Sequence, residues 1–126
     1  MRFLYTLLFS TLLYAEPSWI NNTSHLSQKY IYGLGISNDV NPVNKRHIAI
    51  ANARANLAQN IKVEVKSYFK MIEQSSNDKY TRKTNSIVEQ KANELLIGSS
   101  IEDSFIDNDG VLYILMKINK LKVSSL

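Results

Sequence analysis

The chain of 126 residues has no cysteine. It therefore lacks a disulfide staple, a thiol nucleophile, a cysteine-built metal site and an attachment point for a cysteine-linked acyl anchor. Histidine is scarce too. Neither His25 nor His47 has a second histidine or a carboxylate three or four residues away, the spacing that puts two ligands on one helix face. No G-x-S-x-G run offers a serine nucleophile. The net charge of +4 is mild; it suits an acidic surface but falls short of the concentrated basic face of a nucleic-acid binder. A long apolar run is missing as well. Phe3 to Tyr14 is too short to span a bilayer comfortably, follows Arg2, and ends at Ala15 before the acidic Glu16. Residues 1–15 read as a secretory signal cut after Ala15, with a retained anchor as the other reading because Leu13 is large for its position. These absences leave no catalytic residue, metal ligand set or cofactor site to nominate, and the expectation is a protein that is not an enzyme.

What is present suits one globular domain, with 44% hydrophobic and 21% charged residues. The expected layout is an arm over 16–29, a single α+β domain over 30–120 and a flexible basic tail over 121–126. In the arm, Trp19 is the structural anchor. Tyr30 to Ser37 alternates as a first strand, and Gly33 and Gly35 within it mark a place where something packs on bare backbone. They are not a dinucleotide loop, because Asn38 stands where a third small residue is needed and no helix begins inside the motif.

Asn41 is a good N-cap and Pro42 a good first helical residue. Ile50, Ala53 and Leu57, flanked by further alanines, form a stripe of small side chains that lets the helix lie close to a sheet. From Ile61 the period changes to two, with Ile61, Val63, Val65, Ser67, Phe69 and Met71 opposite Lys62, Glu64, Lys66, Tyr68 and Lys70. That predicts a strand from Ile61 to Glu73. Lys45, Arg46 and His47 crowd the positive end of the helix dipole, so they are the candidate anion-binding residues, with a solvated, screened cluster as the plain alternative.

After a polar connection, Ser86 to Leu96 has helical spacing, with Gly98 as the stop and an extended reading of 84–88 as the rival. Ser99 to Asp107 and Val111 to Asn119 form a hairpin around Gly110, where a positive φ is wanted. The return strand is apolar at both parities, which places it centrally in the sheet. The acidic cluster Glu102, Asp103, Asp107 and Asp109 comes nearest to a paired-carboxylate or calcium site, but Asp107 to Gly110 lacks calcium-loop spacing, and acids in a turn are explained by turn propensity. Tyr30, Tyr32 and Tyr68 are the candidate partner or ligand surface. The expected fold is α+β: an antiparallel sheet of about four strands packed on one long helix, in the order strand, helix, strand, short helix, hairpin.

Several of these features together resemble a known family. They are Pro17-x-Trp19, Tyr30-x-Tyr32-Gly33-x-Gly35, Ala49, Ala53 and Arg54 on the helix, Leu57-Ala58 leading to Ile61-x-Val63-x-Val65-x-Ser67, and Asp109-Gly110 with Tyr113-x-Leu115. The pattern is similar to the twenty-kilodalton lipoprotein family, Lpp-twenty, of spiral, flagellated Gram-negative bacteria. The resemblance implies a dodecin-like fold and a secreted, periplasmic or outer-membrane-associated protein, with flagellar accessory proteins among its relatives. It supplies no catalytic residue. The absence of a lipobox cysteine departs from the anchored members, so membrane contact is expected to be indirect. The expected function is self-association or binding of another envelope protein; the alternative is a small-ligand or anion carrier using the concave sheet face or the helix N-terminus.

Overall fold

Asn41 starts the element on which the others rest. Its Oδ1 accepts the amides of Val43 (3.0 Å) and Asn44 (3.2 Å), and Pro42 follows with no amide to satisfy. In this computed structural model, which describes residues 16–23, 26, 28–76 and 82–124, helix α1 then runs Pro42–Ser76 for 35 residues. That is about 52 Å at 1.5 Å per residue. The expected signal segment, 1–15, and the middle of the polar connection, 77–81, lie outside the described residues.

The strand expected from Ile61 to Glu73 is helix instead. Neither glycine nor proline occurs between Pro42 and Gly98 to end it. Ala49, Ala53, Leu57, Ile61 and Val65 step by four, and all are fully buried. The two-residue alternation borrowed Ile61 and Val65 from this row; of its other members, Val63 and Met71 are 63% and 59% exposed. A β-branched residue costs a helix about 0.5 kcal/mol, less than the roughly 1.5–3 kcal/mol gained by burying Ile61 or Val65. Tertiary burial therefore decides the conformation.

With that segment helical, the sheet has, among the described residues, three strands rather than four: β1 Tyr30–Ser37, β2 Ser100–Ile106 and β3 Leu112–Asn119, in the order β1-β3-β2. Both pairings are antiparallel, and the α+β class holds. β1 and β3 pair in unbroken register from Tyr30↔Asn119 to Ser37↔Leu112. β2 meets β3 from Ile106↔Leu112 to Ser100↔Lys117, with a bulge between Ile101 and Asp103. β3 is central and covered on both faces. Leu112, Ile114, Met116 and Ile118 face α1, while Leu115 is buried under Trp19 and Ile20.

Helix α1 lies against β1 where that strand has no side chain. A Cβ added at Gly33 would overlap Leu57 and the Ala53 carbonyl, and one added at Gly35 would overlap the main chain of Ala49 and Ala53. Helix α2, Arg82–Ile97, settles the 84–96 stretch as helix. It buries Val88, Ala92 and Leu95 in the same core, and Lys62 of α1 reaches Glu89 at 3.7 Å. The Gly98 amide donates to the Leu95 carbonyl at 3.1 Å and closes the last turn.

The hairpin turn is built on Asp107, whose Oδ1 accepts the amides of Asp109 (2.9 Å) and Val111 (3.0 Å), and on Gly110 at φ 81°. The tail expected to be flexible forms a short helix α3, Leu121–Ser124. Val123 fixes it, being buried in the main core. In the arm, a 3₁₀ turn at Ser18–Ile20 crosses the outer face of the sheet. There Trp19 Nε1 donates to Asp103 Oδ2 at 3.1 Å.

Candidate functional site

The basic residues at the start of α1 do not converge on one point. Lys45 Nζ donates to the Gly110 carbonyl at 2.6 Å, tying the helix start to the hairpin turn, while Arg46 and His47 are exposed. Consecutive helical residues diverge by about 100°. The amides of Val43 and Asn44 are already taken by Asn41. The arrangement ties and caps the helix rather than surrounding an anion.

The three tyrosines fall on two adjoining depressions. Tyr30 and Tyr32 lie on the outer sheet face with ring centroids 6.2 Å apart. Lys117 Nζ sits 4.2 Å over the Tyr30 ring and 2.7 Å from Glu102. Glu102 holds the Lys117 ammonium above the ordinary lysine range, against partial burial that pushes it down. On the same face, burial and then the nearby Asp107 carboxylate push the Tyr113 hydroxyl up. Tyr30 also turns a corner of the sheet into a groove of about 880 Å³ beside α1 and α3, where Tyr68, Met71, Leu121 and Val123 are the apolar walls. Lys120 and Glu64, 3.5 Å apart, stand at its rim. Tyr32 lines a smaller hollow of about 270 Å³ on the other side of that ion pair. Tyr30 and Tyr68 thus share one site, and Tyr32 borders it.

The two edges of the sheet differ. On β1, the groups that point away from β3 are held by α1: Asn52 Nδ2 donates to the Ile36 carbonyl (3.0 Å), Asn56 Oδ1 accepts the Leu34 amide (2.9 Å) and Asn60 Nδ2 donates to the Tyr32 carbonyl (2.7 Å). Even-numbered β1 residues therefore face outward, and antiparallel alternation carries the parity across β3 to β2. Ser104 and Ile106 must then turn their main-chain groups to the open side. The Ser104 amide is met there by Asp103 Oδ1 at 2.8 Å. β2 is exposed along nearly its whole length. Ile101 and Ile106, paired with the core residues Met116 and Leu112, remain 41% and 61% exposed on the helix side, beyond the reach of α1. The result is an apolar ledge beside an edge strand.

Sequence reasoning did not tell the two edges apart. The signal for the first was in view: three asparagines at steps of four inside a helix that they disfavour. The ledge carried no such signal, because whether a helix covers a strand is not local information.

Among the described residues, no three His, Asp or Glu side chains gather as a metal site, and no helix is long and apolar enough to cross a membrane. Compared with known proteins, residues 17–119 match the model of the LPP20 lipoprotein family. No curated protein matches the chain.

Proposed function

The chain belongs to the LPP20 lipoprotein family, which makes it an envelope-associated protein, and from that premise we propose that it acts without catalysis, by pairing with a second copy of itself along β2. The observation that carries this reading is the β2 ledge, where Ile101 and Ile106 extend the core floor past its helical cover. A two-fold axis through Ser104, where the amide exchanges Asp103 Oδ1 for the partner's carbonyl, makes the contact self-complementary. Phe105 of each copy then lies opposite Asp103 of the other, so no two carboxylates face each other directly. The ledges join into one apolar strip on the helix side. The strand order β1-β3-β2 around one long helix is compatible with a dodecin-like arrangement, and secretion across the inner membrane accords with the apolar segment before Ala15.

Light scattering of the purified protein across a concentration series tests the pairing. A dimer is expected, and Ser104→Pro, which removes an outward amide while leaving the bonds to β3 in place, is expected to be monomeric. A wild-type protein that stays monomeric at high micromolar concentration overturns it. Motility of a deletion strain tests the flagellar association that the family resemblance implies; undiminished motility removes it.

The groove between Tyr30 and Tyr68 favours a second reading, a carrier of a small apolar ligand. A fluorescent apolar probe is expected to bind there and to lose affinity about tenfold in Tyr68→Ala, as removal of one aromatic wall would cost. Equal binding by both proteins counts against it.

A further inference from the structure

We infer that Asn52, Asn56 and Asn60 form a main-chain seal on β1 that makes strand addition one-sided, so that pairing through β2 ends at two copies. The count of two rests on the pairing proposed above; the seal does not.

A free sheet edge offers a row of amides and carbonyls to any extended chain. On β1 three members of that row are occupied: the Ile36 carbonyl, the Leu34 amide and the Tyr32 carbonyl, at 3.0, 2.9 and 2.7 Å from the three carboxamides. The fit follows from pitch. Four residues of helix rise about 6 Å, and two residues of strand advance about 6.7 Å. An i, i+4, i+8 row on a helix running against the strand therefore meets every second strand residue over three rungs before the two drift apart. A carboxamide suits the task because it both donates and accepts; here Asn52 and Asn60 donate, and Asn56 accepts. Asparagine is a poor interior helix former, and the edge bonds offset that cost. The close approach at Gly33 and Gly35 brings α1 near enough for such short side chains to reach.

A two-fold pair through β2 forms a six-stranded sheet whose two outer strands are both β1. With β1 sealed, the sheet cannot grow further; with β1 open, it can add copies in both directions.

The test compares the full wild-type chain with the triple variant Asn52→Ala, Asn56→Ala, Asn60→Ala by light scattering, and follows the Leu34 amide by hydrogen exchange. The triple variant is expected to grow beyond two copies with concentration. The Leu34 amide is expected to exchange about tenfold faster in Asn56→Ala than in the wild type, and at an unchanged rate in Asn56→Asp, which keeps the acceptor. A triple variant that is folded by circular dichroism but unchanged in mass overturns the seal. If the triple variant does not fold, Leu34 exchange in Asn56→Ala decides, and an unaltered rate overturns the seal. A monomeric wild type with a self-associating triple variant removes the β2 pairing and keeps the seal. A dimeric wild type with an unchanged variant does the reverse.

Discussion

The two faces of the sheet are closed by opposite means. On the inner face, α1 comes so near that β1 has room for no side chain at Gly33 and Gly35, and the helix opposes them with Ala49 and Ala53. On the outer face, a short arm lays one large ring, Trp19, over Leu115 and holds it with a single side-chain bond to Asp103. The first closure works by small residues repeated along two long elements and leaves no gap to relax into. The second depends on Trp19 and its buried neighbour Ile20 in a turn of three residues, so it can open without unfolding the rest.

Substitutions at these faces should separate the two closures. Gly35→Val gives the largest expected effect, because the added atoms meet the main chain of α1 rather than a flexible side chain. The cost should exceed the roughly 1–3 kcal/mol of ordinary overpacking and approach the whole stability of about 5–15 kcal/mol, so thermal melts should lose their cooperative transition. Leu57→Ala, fully buried beneath β1, should lower stability by about 2–5 kcal/mol while keeping a two-state denaturant transition.

Trp19→Ala should cost less, about 2 kcal/mol, because the arm can lift away instead of enclosing a cavity. Its signature is local: increased binding of an apolar dye to the face holding Leu115, Tyr113 and Phe105, with the α1 amides still protected from exchange. If Trp19→Ala unfolds the protein as Gly35→Val does, the two faces are not separable closures.

The smallest effect concerns alkaline pH. Lys117 and Tyr113 both titrate higher in the folded chain than their ordinary values of 10.5 and 10.0. A raised folded value means that the stabilisation is fully present below the unfolded value and is lost as pH rises through the folded one. The melting temperature should therefore fall above about pH 10. Glu102→Gln should remove the Lys117 share of that slope and leave the Tyr113 share, which burial and Asp107 cause.

Much of the architecture could be read from local chemistry. The N-cap at Asn41, the first strand from Tyr30 to Ser37, the turn at Gly110 and the doubly apolar β3 each depend on neighbours in the chain or on a simple period. The stretch after Ile61 was legible in two ways, since Ile61 and Val65 belong to both a four-step and a two-step row. The candidate residues fared unevenly for a related reason. Lys45, Arg46 and His47 are adjacent in sequence but point apart on a helix, whereas Tyr30 and Tyr68 are distant in sequence and line one groove.

By itself the sequence determined the helix start at Asn41, the turn at Gly110 and which surfaces must be small, because those depend on backbone angles, caps and side-chain volume within a few residues. Only the tertiary structure decided that α1 runs to Ser76, that its asparagines close β1 and that β2 is left with an uncovered ledge. Those outcomes turn on which surfaces meet, and burial of Ile61 and Val65 against distant partners outweighs a local preference of a few tenths of a kcal/mol.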